Sequence, residues 1–175
     1  RMSASAEGNA FVSFEACADK HGVDSAAAIS AAAAGEKTIS VEGLGTFTVA
    51  APAASGTLRG KIAIVTGSAQ GFGAGIAEYL ASEGACVAIV DMNADGARAE
   101  AEKISEKYGT RTIAVSANVT DEESVRTMID ETVCAFGGLD VFVNNAGIVR
   151  AGSLTEMTKQ NFELVTSVDY TAFFI

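Results

Sequence analysis

The sequence has 175 residues, of which 49% are hydrophobic and 19% charged, and its formal net charge is −10. This composition is typical of a globular chain with enough apolar side chains for a packed core. The negative charge argues against nucleic acid or an anionic membrane as a partner, because neither would be attracted electrostatically. The sequence contains no run of about 18 apolar residues, so it predicts no membrane span. It also has no basic start before an apolar stretch, so it predicts no signal peptide.

The cysteines and the single histidine do not suggest a metal site. Cys17, Cys86 and Cys134 lack metal-ligand spacing, and the latter two lie in apolar stretches. We expect buried, reduced thiols in a cytoplasmic protein. His21 has no second ligand or nucleophile beside it, so we expect it to have a surface or packing role.

Residues 1–57 differ in composition from the rest of the chain. They are rich in Ala, Ser and Gly and contain 3 basic and 6 acidic residues. We expect a small N-terminal α+β segment, or the tail of a preceding domain, because so short a piece buries little surface alone. Its predicted elements, in chain order, are a helix over 24–34, strands over 37–41 and 46–49, and a linker over 50–56.

Residues 58–175 show a regular alternation of strands and helices. Near-continuous apolar strands separated by helices indicate βαβ units around a parallel sheet covered on both faces. We therefore predict an α/β fold, a Rossmann-type doubly wound parallel sheet truncated at its C-terminal side. Strands are predicted over 61–66, 85–90, 112–116 and 139–143, and helices over 71–82, 94–108, 122–136 and from 159 to the end of the chain.

Two of these helices have clear local signals. Ile76, Ala77 and Leu80 share one face of the first, and we expect that face to pack on the sheet. The third begins after Asp121, a good N-cap, and we expect its residues at positions 125, 129 and 133 to face inward.

The turn after the first strand of this unit is rich in glycine. It reads Thr66-Gly67-Ser68-Ala69-Gln70-Gly71-Phe72-Gly73. Glycines permit a sharp turn, close approach of the backbone to a pyrophosphate, and tight packing of helix on strand. The free N–H groups at the start of the next helix favour phosphate. By itself, the turn is also compatible with an ordinary glycine-rich loop.

An acidic residue ends the second strand of this unit. Asp91 lies 24 residues after Gly67, where a carboxylate can accept hydrogen bonds from the adenosine ribose hydroxyls. It would repel a 2′-phosphate, and neither Met92 nor Asn93 is basic. We predict NAD rather than NADP as the cofactor. The alternative is that Asp91 only caps the following helix.

A second motif, Asn144-Asn145-Ala146-Gly147, follows the fourth strand of the unit. With the pattern Thr-Gly-x-x-x-Gly-x-Gly over 66–73, it makes the region from Leu58 to Ile175 resemble the short-chain dehydrogenase/reductase family. The resemblance implies an oxidoreductase that interconverts an alcohol and a carbonyl by hydride transfer with NAD. It also implies a small-molecule substrate and a homo-oligomer, either a dimer or a tetramer.

The resemblance also implies roles for individual residues. Asn118 and Val119 match the pair that holds the adenine ring, although the family more often has Asp at the first position, and an amide could also bond the adenine amino group. Asn144 would brace the sheet. The remaining cofactor-binding candidates are Gly67, Ser68, Gln70, Gly71, Phe72, Gly73, Asp91, Met92, Asn145, Ala146 and Gly147.

The sequence departs from the family in its catalytic residues. Asp169 stands where the family has a catalytic Asn, which makes it the only catalytic candidate in the chain. No tyrosine is followed four residues later by Lys, because Tyr79, Tyr108 and Tyr170 lead to Glu, Thr and Phe. The resemblance implies a Tyr-x-x-x-Lys pair in which the Tyr is the acid/base and the Lys lowers its pKa. We therefore expect the chain to be a fragment that is inactive alone.

Two alternative functions remain at this stage. If the chain were complete, it could be a non-catalytic dinucleotide-binding module. A methyltransferase also has a glycine-rich turn and an acid after its second strand, but the motif over 144–147 argues against it.

The stretch 36–47 resembles the junction of aldolase-type fusions to sugar or polyol dehydrogenases, which suggests a sugar alcohol or sugar phosphate substrate. It also resembles the hairpin of histone-like DNA-binding proteins, which the acidic charge disfavours.

Overall fold

The computed structural model describes residues 38–41, 45–48, 56–153 and 155–175. In the N-terminal part, the two predicted strands are present as β1 (Thr38–Val41) and β2 (Gly45–Thr48), and they form an antiparallel pair. The predicted helix over 24–34, His21 and Cys17 lie outside the described residues.

The rest of the described chain forms one parallel sheet with flanking helices. Its elements are β3 (Ile62–Thr66), α1 (Gly71–Ser82), β4 (Cys86–Asp91), α2 (Ala94–Tyr108), β5 (Thr112–Ser116), α3 (Glu122–Phe136), β6 (Val141–Val143) and α4 (Lys159–Asp169). The strand order is β5-β4-β3-β6, and every neighbouring pair is parallel. The predicted Rossmann-type α/β fold is confirmed.

The core lies in two layers because side chains alternate along each strand. Ile62 and Ile64 face the layer covered by α3, whereas Ala63 and Val65 face the layer covered by α1 and α2. The predicted inner face of α1 is confirmed: Ala77 is buried, and Ile76 and Leu80 pack beside it.

The inner face of α3 is rotated slightly from the prediction. Val125 is buried and Ile129 packs against the core, but the deepest positions are Met128, Thr132 and Phe136 rather than 133. These residues follow Val125 at intervals of three or four, which keeps them on one stripe of the helix.

Three other expectations need correction. The last helix does not reach the end of the chain: α4 ends at Asp169, Tyr170 leaves the helical region (φ −127°), and a short 3₁₀ helix covers Thr171–Phe173. The fourth predicted strand shortens to Val141–Val143. Asp140 lies just before it, where its N–H donates to the Ile62 carbonyl oxygen and its carboxylate accepts from the Ile62 N–H. Burial is confirmed for Cys86, where it raises the pKa of the thiol, but Cys134 is only half-buried.

Candidate functional site

A cavity of about 380 Å³ opens at the carboxyl ends of the parallel strands. The chain runs from β3 outward to β4 and β5, then returns to place β6 on the other side of β3. Such a reversal of strand order leaves a crevice where ligands of α/β proteins bind. The cavity is lined by Gly67, Gln70, Gly71, Phe72, Gly73, Val90, Asp91, Met92, Ala117, Asn118, Val119, Asn145, Ala146, Gly147, Ile148 and Val168.

The glycine-rich turn brings three backbone segments into contact. Gly67 has a φ of +64°, and a Cβ there would lie 2.8 Å from the Cα of Ala146. A Cβ on Gly73 would lie 2.2 Å from the Gly67 carbonyl oxygen and 2.5 Å from the Asn145 Nδ2. Only glycine fits these two positions without moving the backbone.

The helix that starts at this turn has no side-chain cap. Gln70, at its N-cap, makes no capping hydrogen bond, and the first turn contains no acidic residue. By contrast, Asn93, Asp121 and Thr158 cap α2, α3 and α4. The first N–H groups of α1 therefore remain available at the cavity, together with the positive end of the helix dipole. An anion is the ligand that such a helix end favours.

Ser68 does not line the cavity, contrary to the sequence expectation. It is fully buried, and its hydroxyl donates to the Val65 carbonyl oxygen at 2.6 Å while accepting from the Val90 N–H at 2.9 Å. Its backbone N–H donates to the Val90 oxygen. These bonds occupy the hydroxyl and the backbone N–H of Ser68 and join the turn to β3 and β4.

Thr66 and Asn145 join the turn to the end of β6. The buried Thr66 hydroxyl accepts from the backbone N–H groups of Asn145 and Ala146, both at 3.0 Å. The Asn145 side chain donates to the carbonyl oxygens of Thr66 and Gly67, at 2.9 and 3.2 Å. Asn145 therefore holds the glycine-rich turn against the end of β6. Thr66 was part of the quoted motif, but its bonding role was not evident from the sequence.

Asp91 is held in position by two backbone groups. Its Oδ2 accepts from the Ala69 N–H at 3.1 Å, and its Oδ1 accepts from the Asn93 N–H at 3.0 Å. The cap of α2 is Asn93, which accepts from the Gly96 N–H, so Asp91 does not act as the cap. Each carboxylate oxygen retains a second lone pair for a ligand at the cavity.

Exposed apolar side chains border the same cavity. Phe72 is 89% and Met92 is 72% exposed, which is unusual for side chains so apolar. Val119 is buried beside Asn118, whose amide oxygen is bonded to Thr120. Apolar surfaces next to a few fixed polar groups are typical of cofactor pockets.

Asp169 lies beside this cavity rather than in it. Its exposed carboxylate accepts a hydrogen bond from the Ile148 N–H at 2.9 Å. It lies 3.4 Å from where a Cβ on Gly147 would be. Asp169 and Ile148 also border a neighbouring cavity of about 310 Å³, with Arg150. The carboxylate thus ties the end of α4 to the loop after β6.

The described residues contain neither a membrane-spanning helix nor a cluster of metal ligands. Across 56–153 and 155–175, no helix has both the length and the apolar character needed to cross a membrane. The same ranges contain no cluster of three metal-ligating side chains.

The strand order and the glycine-rich turn define a Rossmann-type α/β protein. Residues 61–175 match the short chain dehydrogenase family, and the chain belongs to this family. Members of the family are oxidoreductases that bind NAD or NADP. Family membership removes the methyltransferase alternative.

Relatives with known names agree with this assignment. Over 118 residues, which are 67% of this chain, the sequence is 40% identical to the 3-oxoacyl-(acyl-carrier-protein) reductase FabG of Aquifex aeolicus, covering 48% of that protein. It is 36% identical over 118 residues, again 67% of the chain, to the D-threitol dehydrogenase of Mycolicibacterium smegmatis, covering 45% of it. The chain spans about half the length of these relatives.

A solved structure agrees as well. The crystal structure of a dehydrogenase/reductase from Sinorhizobium meliloti 1021 superposes with a TM-score of 0.62 and is 45% identical, covering 66% of this chain and 46% of that one.

Proposed function

We propose that this chain forms the NAD-binding half of an oxidoreductase that interconverts an alcohol and a ketone or aldehyde. The observation that carries the proposal is the cavity at the strand ends, where the uncapped N-terminus of α1 faces Asp91 and residues 145–147. Bound there, the cofactor would supply the hydride chemistry. This chain's own residues would bind and orient it.

The lining residues fit the parts of a dinucleotide. The backbone N–H groups of residues 70–73 would hold the diphosphate, and Asp91 would accept hydrogen bonds from the adenosine ribose. Met92, Asn118 and Val119 would surround the adenine. Residues 145–147 would lie along the nicotinamide half, in a loop that Asp169 holds through Ile148.

The charge at the cavity favours NAD over NADP. Asp91 is its only charged lining residue among those described, and no Lys, Arg or His lines it. A 2′-phosphate would bring about two negative charges to this carboxylate with no cation to offset them. The ribose hydroxyls of NAD could instead donate to its remaining lone pairs.

The test is a titration of the intact gene product with NADH and NADPH, followed by nucleotide fluorescence. We expect NADH to bind at least about tenfold more tightly, which is a difference of about 1.4 kcal/mol in binding free energy. Asp91→Asn removes the charge and keeps one acceptor, so the preference should shrink. Asp95→Asn is the matched control, because Asp95 is 94% exposed on α2 and does not line the cavity.

Either of two results would contradict this assignment. If neither nucleotide bound, the site itself would be wrong. If NADPH bound more tightly than NADH, the preference would be wrong and the site would stand.

The substrate is proposed to be an alcohol of the sugar or polyol class. D-threitol dehydrogenase among the relatives supports this class, as does the resemblance of 36–47 to sugar dehydrogenase fusions. Residues 1–57 would then be an accessory segment, and 58–175 the dinucleotide-binding unit of a homo-oligomer. The intact gene product should reduce NAD with polyols or sugar phosphates. Turnover only of acyl thioester substrates would refute the polyol class.

A further inference from the structure

We propose that Asn118 presents a hydrogen-bond donor to the purine base, so the pocket does not select for the 6-amino group of adenine. The inference rests on the proposed function, which puts the base beside Asn118. It deepens that function by assigning the chemistry by which this residue reads the base. The polarity is opposite to the bond with the adenine amino group that the family resemblance suggests.

The side-chain oxygen of Asn118 is already saturated. It accepts from the Thr120 backbone N–H at 3.1 Å and from the Thr120 hydroxyl at 2.8 Å. An amide oxygen has two lone pairs, and these two donors use both. The Nδ2 group makes no hydrogen bond within the described residues, so it is the polar group of this side chain left for a ligand.

The orientation of the amide follows from the chemistry of its partner. The Thr120 N–H can only donate, so it requires the oxygen of Asn118 rather than its nitrogen. Turning the amide over would set two donors against each other and leave a partly buried N–H unsatisfied, which costs about 1–3 kcal/mol. The surrounding backbone is held too, because the Asn118 N–H donates to the Ser124 hydroxyl at 2.9 Å and its carbonyl oxygen accepts from the Asp121 N–H.

A donor at this position has a defined consequence for the base. Where Nδ2 faces position 6 of the base, it cannot bond to the 6-amino group of adenine, because that group is itself a donor. The 6-oxo group of hypoxanthine is an acceptor and can bond to Nδ2. A carboxylate at position 118 would reverse this, because one oxygen could keep both bonds from Thr120 while the other accepted a bond from the 6-amino group.

The experiment compares two reduced dinucleotides, NADH and its hypoxanthine analogue, by fluorescence titration of the intact gene product. For the unmodified protein, we expect the analogue to bind as tightly as NADH or more tightly. For Asn118→Asp, we expect the analogue to bind at least about tenfold more weakly than NADH, which is the scale of one hydrogen bond to a charged group. The substitution keeps the acceptor that Thr120 needs, so the loop should retain its fold.

Asn93→Asp is the matched control. It adds the same charge nearby and keeps the acceptor that caps α2, but Asn93 does not line the cavity. Its dinucleotide ratio should equal that of the unmodified protein.

Three outcomes would overturn the inference. These are a tenfold preference of the unmodified protein for NADH, an unchanged ratio in Asn118→Asp, and an equal shift in Asn93→Asp. Failure of both dinucleotides to bind would instead refute the proposed function.

Discussion

Replacing Gly73 by alanine should separate the glycine-rich turn from its neighbours. Gly73 is buried in the first turn of α1, and its backbone is helical, so the change strains no dihedral angle. The added Cβ would instead meet the Gly67 carbonyl oxygen at 2.2 Å and the Asn145 Nδ2 at 2.5 Å. Since the first of these atoms belongs to the backbone, the turn or the helix has to move.

The expected cost follows from the contacts that such a movement disturbs. Overpacking of a closely packed site costs about 1–3 kcal/mol. Displacing the Asn145 side chain also weakens its two hydrogen bonds, to Thr66 and Gly67, at about 1 kcal/mol each. We therefore expect the free energy of unfolding to fall by about 3–5 kcal/mol, and dinucleotide affinity to fall with it.

Urea denaturation of the intact gene product measures this loss, and Gly75→Ala is the matched control. Gly75 lies two residues further along the same helix, where an added Cβ would meet nothing within 4 Å. Alanine should stabilise that position by about 0.5–1 kcal/mol through helix propensity. If Gly73→Ala were as stable as the unmodified protein, or Gly75→Ala equally destabilised, the close-approach argument would be refuted.

Two further predictions concern residues outside the glycines. Thr66→Val removes the acceptor shared by two backbone N–H groups and should lower the free energy of unfolding, measured in urea, by about 1–3 kcal/mol. Thr66→Ser keeps the hydroxyl and should lose less stability, and equal losses in the two variants would contradict the role of the hydroxyl. Hydrogen bonds from the Thr57 N–H and hydroxyl lower the pKa of Glu83 below its ordinary 4.5, so they stabilise the fold above that pH and this contribution fades on acidification. Glu83→Gln should therefore lower the Tm at neutral pH and converge with the unmodified protein in acid, and a gap independent of pH would contradict the assignment.

Much of the fold could be predicted because its signals are local. Apolar runs of strand length alternate with helices of 3.6-residue periodicity, and these patterns alone require a parallel sheet covered on both faces. The prediction failed in detail at the ends of elements. The predicted strand over 139–143, for example, begins only at Val141, and the hydrogen bonds that Asp140 makes to Ile62, 78 residues away, could not be predicted from local residue types.

The site was predictable as a set of motifs but not as a set of contacts. The glycine-rich turn, Asp91 and the motif over 144–147 are visible in the sequence because each depends on residue types at fixed short spacings. That Asn145 holds the turn against the end of β6 could not be predicted, since its partner Thr66 is 79 residues away.

The sequence by itself determined the family, the strand and helix pattern, and the presence of an acid after the second strand. Tertiary structure alone decided which polar groups remain available to a ligand. Ser68 faces inward and Asn118 has its oxygen occupied because each competes for hydrogen bonds with neighbours that only folding brings close. A hydrogen bond depends on distance and angle between two groups, and a residue type specifies only what it can donate or accept.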